Sequence, residues 1–191
     1  MDVKSFKERK VIFLKKIYNR LNTIYLRNIY RNIHLENTAI VDYRCEIEQI
    51  NNIFIGKKSI LYKHTTIYKN EKGYLKIGDF SHIAPYGYIL MDKQKLTIGN
   101  NVAIGPFCSI FCSTNSIPSD KKTLFKDSYI KGDIEIGNNV WIGAHCVILP
   151  NTVIEDNVVI AANSTVKGQI KSGFLYGGNP ATIIKALDHE Q

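Results

Sequence analysis

Long apolar runs and paired cysteines are both missing from this 191-residue sequence. No stretch approaches the roughly 18–20 consecutive apolar residues that a helix needs to cross a bilayer. The four cysteines form no C-x-x-C pair of the kind that zinc sites use. We therefore expect no metal site. We also expect a cytoplasmic protein with reduced cysteines, two of them (Cys108 and Cys146) in small inward positions of the core.

The chain beyond residue 34 also lacks a surplus of positive or negative charge. The net charge is +8, but residues 1–34 carry nine Lys or Arg against two acidic residues, and the rest of the chain carries 16 against 15. A nucleic-acid-binding domain carries its basic patch on the folded body, so we expect no nucleic-acid partner.

The basic segment has apolar residues at helical spacing, which predicts an amphipathic helix within an N-terminal unit of residues 1–46. The apolar positions are Val11, Leu14, Tyr18, Leu21, Tyr25 and Ile29. Two interpretations stay open. The helix packs on or caps the body, or residues 1–34 contact an anionic membrane surface at its inner face.

A six-residue repeat fills most of the remaining chain. Each copy has an aliphatic residue, then two or three turn-forming residues and a small one. The copies begin at residues 55, 77, 83, 98, 104, 136, 142, 148, 154 and 160. Gly and Asn tolerate the positive φ angles of tight corners, so each copy predicts a short strand and a corner. About 18 residues then complete one turn of a three-sided coil.

The repeat predicts a mainly β fold, a parallel β-helix over residues 47–175. A long polar excursion, residues 112–133, interrupts the rhythm, and such loops on a rigid scaffold tend to be functional. The tail, residues 176–191, is predicted to form a turn and a short helix that begins near Pro180.

The sequence resembles the hexapeptide-repeat left-handed β-helix acyltransferases, in the branch of maltose, galactoside and polysaccharide O-acetyltransferases. The most specific stretches are IGNNVWIG (136–143), the run ILPNTVIEDNVVIAANSTV (148–166) and the ending GGNPATIIK (177–185). The resemblance supplies the left hand, which spacing alone does not give. It implies a homotrimer that transfers acetyl from acetyl-CoA to a sugar hydroxyl, in a groove between neighbouring chains.

The same resemblance implies which residues meet acetyl-CoA. Trp141 would flank the thioester, and Ala144 and Ala162 would offer backbone contacts. Lys185, in the closing helix, would meet the 3′-phosphate as a point charge. Lys167 stands one position before the lysine of the family pattern and is interpreted as its shifted substitute.

The family's catalytic histidine aligns with Asn115, which cannot accept a proton at neutral pH. Three explanations stay open. In the first, His82, one coil away, serves as the base. In the second, Asn115 orients the acceptor or stabilises an oxyanion while another group, such as Asp92 or Asp120, is the base. In the third, the chain binds CoA or a sugar with little turnover. His145 is predicted to point outward from a corner without a partner.

The acceptor is expected to be a cell-surface glycan or its precursor. Asp92 stands close to where galactoside-type members place a sugar-binding acidic residue, but Lys93 and Pro85 depart from that pattern. A nucleotide-sugar N-acetyltransferase is the alternative on the same scaffold. A γ-class carbonic anhydrase would need three converging histidines, and no H-x₄-H spacing exists. A non-catalytic binding prism is the remaining alternative.

Overall fold

The computed structural model describes residues 3–30 and 32–187, and side chains from residue 9 onward. Its body is a parallel β-helix whose strands stack into three sheets along the sides of a prism. The terminal residues 1, 2 and 188–191 of the predicted N- and C-terminal units, and residue 31, lie outside the described residues.

Each of the three sheets takes one strand from successive turns of the coil. The strands are numbered in chain order. Sheet A contains β1 (Ile33–Leu35), β4 (Ile53–Ile55), β7 (Tyr74–Ile77), β10 (Lys95–Ile98), β15 (Ile134–Ile136), β18 (Val153–Ile154) and β21 (Gln169–Ile170). Sheet B contains β2 (Ile40–Val41), β5 (Ile60–Leu61), β8 (His82–Ile83), β11 (Ala103–Ile104), β16 (Trp141–Ile142), β19 (Val159–Ile160), β22 (Phe174–Gly178) and β23 (Ala181–Ala186). Sheet C contains β3 (Glu46–Ile47), β6 (Thr66–Tyr68), β9 (Tyr88–Leu90), β12 (Ser109–Phe111), β17 (Val147–Ile148) and β20 (Thr165–Val166).

The repeat places its aliphatic residues in one continuous core. Ile104, Ile142 and Ile160 stand in register on successive turns, and each is at most 1% exposed. The small residue two places before each aliphatic also points inward, as predicted, and Cys108 and Cys146 are buried free thiols in such positions. Burial in stacked columns removes apolar surface that a single turn could not cover.

The coil begins earlier than the repeat predicted. β1, β2 and β3 lie within residues 33–47 and pair with β4, β5 and β6, so the boundary at residue 47 is wrong. This first turn keeps the six-residue spacing in Leu35, Val41 and Ile47 but has no Ile-Gly pair to mark it. Glu36 occupies the usual glycine position.

The predicted C-terminal helix is wrong. Residues 181–186 form β23, which runs antiparallel to β22 and pairs Lys185 with Leu175. Three consecutive β-branched residues, 182–184, favour an extended backbone.

Two further elements lie outside the coil. The excursion leaves sheet C as an antiparallel pair, β13 (Ser113–Asn115) and β14 (Tyr129–Lys131), with a single 3₁₀ turn at Phe125–Asp127. The predicted N-terminal helix is α1 (Val3–Ile29), and it lies against the first coil. No described helix combines the length and the apolarity that crossing a bilayer requires.

Candidate active site

The outer side of sheet B carries a groove beside its corner with sheet C. The cavity has a volume of about 620 Å³, within the range of small-molecule sites. Its walls are apolar side chains and exposed backbone, with Trp141, Ala144, Ala162, Leu175 and Leu187 among the lining residues. We call this cavity the sheet B groove. Three of the predicted coenzyme contacts (Trp141, Ala144 and Ala162) therefore meet in one place.

Backbone N–H groups in the sheet B groove lack the caps that protect the corner between sheets A and B. At that other corner, the residue two places after the aliphatic donates its N–H to a side-chain oxygen on the next turn. Asn138 N donates to Asp156 Oδ1 at 2.6 Å, and Asn100 N donates to Asn138 Oδ1 at 2.9 Å.

The equivalent residues in the groove are Ala144 and Ala162. The next-turn residue that would cap Ala144 is Ala162 itself, and the one that would cap Ala162 is Gly178. Neither residue offers a side-chain oxygen, and neither alanine N–H donates a hydrogen bond within the described residues. Backbone donors left unpaired are costly unless water or a ligand accepts from them, so this wall can bind a chain of carbonyl oxygens.

Small residues bring successive turns close together along this wall. A Cβ added to Gly143 would lie 2.5 Å from Ala162 N, and one added to Gly105 would lie 2.7 Å from Ala144 N. Larger residues would cover the two N–H groups or push the turns apart. The groove floor therefore stays open to a ligand.

Trp141 forms one side of the groove and is 59% exposed. A second cavity of about 250 Å³ lies on its other side, toward Ala103 and Asn101. A large aromatic ring left in water between two cavities is well placed to bury its surface against a ligand or a neighbouring chain.

The two lysines expected to meet phosphate lie in different places. Lys185 is on β23, directly opposite the groove residue Leu175, and is exposed. Lys167 follows β20 at the corner between sheets C and A. The structure thus places Lys185 beside the sheet B groove and Lys167 away from the groove of its own chain.

His82 stands on the same sheet as Trp141. Their Cα positions are in register through Ala103, and two strand spacings put them roughly 9.5 Å apart. Partial burial lowers the pKa of His82 below its usual 6.5. Its ring contacts Tyr62 edge-on, with ring centroids 5.9 Å apart. His82 is therefore a neutral imidazole at pH 7, the form that can accept a proton.

Asn115 lies on β13, at the base of the excursion. Its Nδ2 donates to the carbonyl oxygen of Phe125 at 2.9 Å, and its Cα pairs with Tyr129 of β14. The side-chain amide therefore holds the turn of the excursion against its base strands. Asn115 lies on the sheet C side of the prism, whereas the groove lies on sheet B.

The carboxylates named as alternative bases are both engaged. Asp92 Oδ2 accepts from Lys131 Nζ at 2.8 Å, which ties the break before β10 to the excursion. Asp120 accepts from the backbone N–H groups of Lys122 and Thr123, and these hydrogen bonds lower the pKa of its carboxyl. Neither carboxylate lies in the sheet B groove of its own chain.

One feature of the corner between sheets B and C, which borders the sheet B groove, was not predicted from the sequence. His64, Tyr86, Phe107 and His145 stack on one another, with centroids 4.9–5.0 Å apart and planes within 18° of parallel. The expectation that His145 has no partner is therefore wrong. An aromatic residue in the same repeat position on successive turns was the available signal.

Metal ligands do not gather anywhere in the part of the chain that the structure describes. No group of three or more His, Cys, Asp or Glu is close enough together there to hold an ion.

Comparisons with known proteins agree with this geometry. Residues 133–168 match the family described as bacterial transferase hexapeptide (six repeats). The putative lipopolysaccharide biosynthesis O-acetyl transferase WbbJ of Escherichia coli is 34% identical over 122 residues, which is 61% of this chain and 59% of that protein. A probable macrolide acetyltransferase of Lysinibacillus sphaericus is 51% identical over 112 residues, 58% of this chain and 59% of that protein. The chain thus spans less than two thirds of the length of these relatives.

Two solved structures share the architecture. A variant of AntD, an N-acyltransferase from Bacillus cereus in complex with dTDP and coenzyme A, has a TM-score of 0.73 and 23% identity, and covers 86% of this chain and 88% of its own. A hexapeptide-repeat acetyltransferase from Vibrio cholerae, complexed with acetyl coenzyme A, has a TM-score of 0.57 and 28% identity, and covers 70% of each chain. The chain therefore carries the transferase hexapeptide repeat and has the left-handed β-helix fold of the hexapeptide-repeat acyltransferases.

Proposed function

We propose that this protein is an acetyl-CoA-dependent O-acetyltransferase that acts on a sugar hydroxyl of a cell-surface glycan or its precursor. The observation that carries the proposal is the sheet B groove, an apolar wall with two uncapped N–H groups, at Ala144 and Ala162. The acetyltransferase names of the relatives support the same reaction class.

The groove residues fit the chemistry of an acyl-CoA. The pantetheine arm is a long apolar chain with two amide carbonyls, and the N–H groups of Ala144 and Ala162 would donate to such oxygens. Trp141 would pack against the thioester end. Lys185, exposed on the neighbouring strand, would meet a phosphate.

In the transfer step, the sugar hydroxyl oxygen bonds to the thioester carbonyl carbon, the C–S bond breaks, and a base takes the hydroxyl proton. The CoA sulfur leaves and is protonated to the thiol. His82 is the described residue best suited to be that base, because it lies on the sheet of the groove and its lowered pKa keeps it neutral. In this proposal Asn115 and Asp92 position the acceptor.

We propose that the working form is a homotrimer. The groove lies on sheet B, whereas Asn115 and Asp92 lie with the excursion on the sheet C side. A site that needs both parts is completed where sheet B of one chain faces the excursion of the next. Lys167, at another corner, would also reach the coenzyme only from a neighbouring chain.

We propose further that the protein is cytoplasmic and that residues 1–34 contact the inner face of the membrane, where lipid-linked glycan precursors are exposed. A nucleotide-sugar amine is the alternative acceptor, because nothing in the groove discriminates a hydroxyl from an amine. An assay with both acceptor types separates the two. Binding of CoA without acetyl transfer to either would indicate a chain that has lost its base.

Acetyl-CoA titration followed by intrinsic fluorescence tests the proposal. The chain contains one tryptophan, so its emission reports on Trp141 alone. We expect saturable quenching by acetyl-CoA and by CoA, and none by adenosine or by free acetate. Absence of any change, together with no heat of binding in calorimetry, would exclude the proposed function.

A further inference from the structure

The outer part of α1 stands in solvent with its apolar side uncovered. Every described side chain from residue 9 to residue 18 is exposed. The large apolar side chains exposed on this helix are Val11, Ile12, Phe13, Leu14, Ile17, Tyr18, Leu21, Tyr25 and Ile29, each between 38% and 64% exposed. An amphipathic surface helix ordinarily turns such residues toward the body.

The helix is attached to the body mainly by polar side chains, together with Leu26, which is buried in the hydrophobic core. Thr23 Oγ1 accepts from Val41 N at 2.9 Å, and Asn22 Nδ2 donates to the carbonyl oxygen of Val41 at 3.1 Å. Asn19 Nδ2 donates to Asp42 Oδ2 at 3.1 Å, and Asn19 Oδ1 accepts from Tyr43 N. These bonds fix how the helix is rotated about its own axis.

The fixed rotation turns the apolar side away from the prism. At roughly 100° per residue, Leu14, Tyr18, Leu21 and Tyr25 project within a sector of about 60°. The centre of that sector is roughly 150° away from the side that carries Asn19 and Thr23. We call these four residues the α1 stripe. It is held outward by the attachment and is therefore positioned to meet something outside the chain.

Charge indicates what covers the α1 stripe. Lys10 and Lys15 project on either side of it, and residues 1–34 carry a surplus of seven positive charges. If two copies of the helix paired in parallel through the α1 stripe, the stripe would occupy the a and d positions of a coiled coil. Lys10 and Lys15 would then be g and e positions, so Lys10 of one helix would face Lys15 of the other. Such like charges repel. An anionic lipid surface would instead attract both lysines while the stripe enters the apolar layer beneath.

We propose that the α1 stripe is a docking surface for an anionic lipid bilayer. The helix lies in the plane of the interface with Leu14 and Leu21 buried among acyl chains, and the lysines lie at the level of the headgroups. Because Asn19 and Thr23 lock the helix to the first coil, docking also orients the prism with that end toward the membrane. This proposal rests on the membrane contact proposed above and names the residues that make it.

Co-sedimentation of the full chain with vesicles tests the proposal. Vesicles of phosphatidylglycerol and phosphatidylcholine in equal parts should bind the protein, and pure phosphatidylcholine should bind it on the order of tenfold less. Leu21→Glu should reduce binding to the mixed vesicles by about tenfold or more, because it removes an inserted side chain and adds a negative charge. The matched control is Ile117→Glu, at an isoleucine of the excursion that is 89% exposed, and it should change binding less than about twofold.

A second pair of measurements separates lipid from a second copy. Lys15→Gln should weaken vesicle binding several-fold, and raising the salt concentration should weaken the binding of the unaltered protein. The proposal is overturned if Leu21→Glu leaves vesicle binding intact but reduces the oligomeric mass in light scattering, since the stripe is then a contact between copies. Equal binding to neutral and anionic vesicles would also overturn it.

Acetyl-CoA titration of the same variants keeps the two proposals distinguishable. Acetyl-CoA should quench the Trp141 fluorescence of Leu21→Glu and Lys15→Gln as it does that of the unaltered protein, because the α1 stripe lies outside the groove. Loss of vesicle binding with retained quenching supports the docking surface. Binding to vesicles without any binding of acetyl-CoA would contradict the proposed enzyme function but not the proposed docking surface.

Discussion

Ala144 and Ala162 occupy a repeat position that carries Asp or Asn on the next corner of the prism. There the side chain caps the N–H of the preceding turn, as Asp156 does for Asn138. In the groove the cap is missing, so under the proposed function the same repeat position stabilises one corner and leaves a backbone donor for a ligand at the other. A methyl group in place of a carboxylate makes this difference.

Ala162→Asp should restore the missing cap. Its carboxylate would accept from Ala144 N as Asp156 accepts from Asn138 N. The N–H of Ala144 would then no longer be free to donate to CoA, and the added negative charge would repel the phosphates of CoA. We expect the Kd for CoA to rise about tenfold or more, the equivalent of one to two lost hydrogen bonds, with stability unchanged or higher. Trp141 fluorescence measures the affinity and urea unfolding the stability.

Two controls accompany that variant. Ala162→Asn caps the same N–H without charge, so it separates capping from repulsion. Asp156→Ala uncaps the other corner and should cost about 1 kcal/mol of stability with no change in CoA affinity. Unchanged affinity in Ala162→Asp would show that the ligand does not use this wall.

His82 is the residue on which the chemical step depends in the proposed mechanism. His82→Asn should lower kcat by about 10²–10⁴-fold, the usual contribution of a general base, with the KM for acetyl-CoA little changed. Because burial lowers the pKa of His82, kcat/KM of the unaltered enzyme should rise with pH through a value below 6.5 and be flat at neutral pH.

The pH profile distinguishes a base from a packing residue. Loss of the acidic limb in His82→Asn, with residual activity independent of pH, supports proton transfer. Tyr62→Phe keeps the ring contact and should keep the profile. A His82→Asn enzyme with unaltered kcat and pH dependence would instead assign the base to a group of the excursion.

Among the structural elements, the stacked aromatic column at the corner of sheets B and C is the least expected. His64, Tyr86, Phe107 and His145 all have positive φ, between 58° and 65°, where Gly and Asn would be less strained. The rings must therefore offset a backbone cost at each turn. Two stacking contacts per interior ring, at about 0.5–1.5 kcal/mol each, are sufficient to do so.

Substitution of Phe107 separates the two effects. Phe107→Ala removes both stacking contacts and keeps the backbone strain, so it should destabilise the protein by about 2 kcal/mol. Phe107→Gly removes the same contacts but relieves the strain at φ 60°, so it should be the more stable of the two. Urea unfolding at matched protein concentration measures both. Equal stability of the variants, or a more stable alanine, would contradict strain at this corner.

The elements also show what repeat spacing can and cannot predict. Ile142, Ile148 and Ile160 follow a period that few folds share, so the coil and its core were predictable. The first turn and β23 were missed because their signals are weaker. Val41 and Ile47 keep the period without glycine, and a strand that reverses direction, as at Ile183, has no six-residue period at all.

At the scale of the whole molecule, the spacing leaves open which corner holds the site. The corners at Asn138 and Ala144 both follow an Ile-Gly pair, and only the stacking of turns shows that the N–H of Asn138 is capped and that of Ala144 is not. The positions of Asn115 and His82 on different sheets were equally hidden. The spacing places each residue within its own turn, whereas the proposed shared site depends on which sides of neighbouring chains meet.

A mixed oligomer tests whether the site is shared between chains. One variant keeps the groove but carries Asn115→Ala and Asp92→Ala, which remove the two side chains proposed to position the acceptor. The other keeps the excursion but carries Ala162→Asp. Each alone should be nearly inactive at low acetyl-CoA.

After unfolding and refolding in equal amounts, a homotrimer with three shared sites should recover about a quarter of full activity, because a site works only where an intact groove meets an intact excursion. A mixture that regains nothing, while both variants refold and form trimers with the mass of the unaltered protein, would place the whole site within one chain.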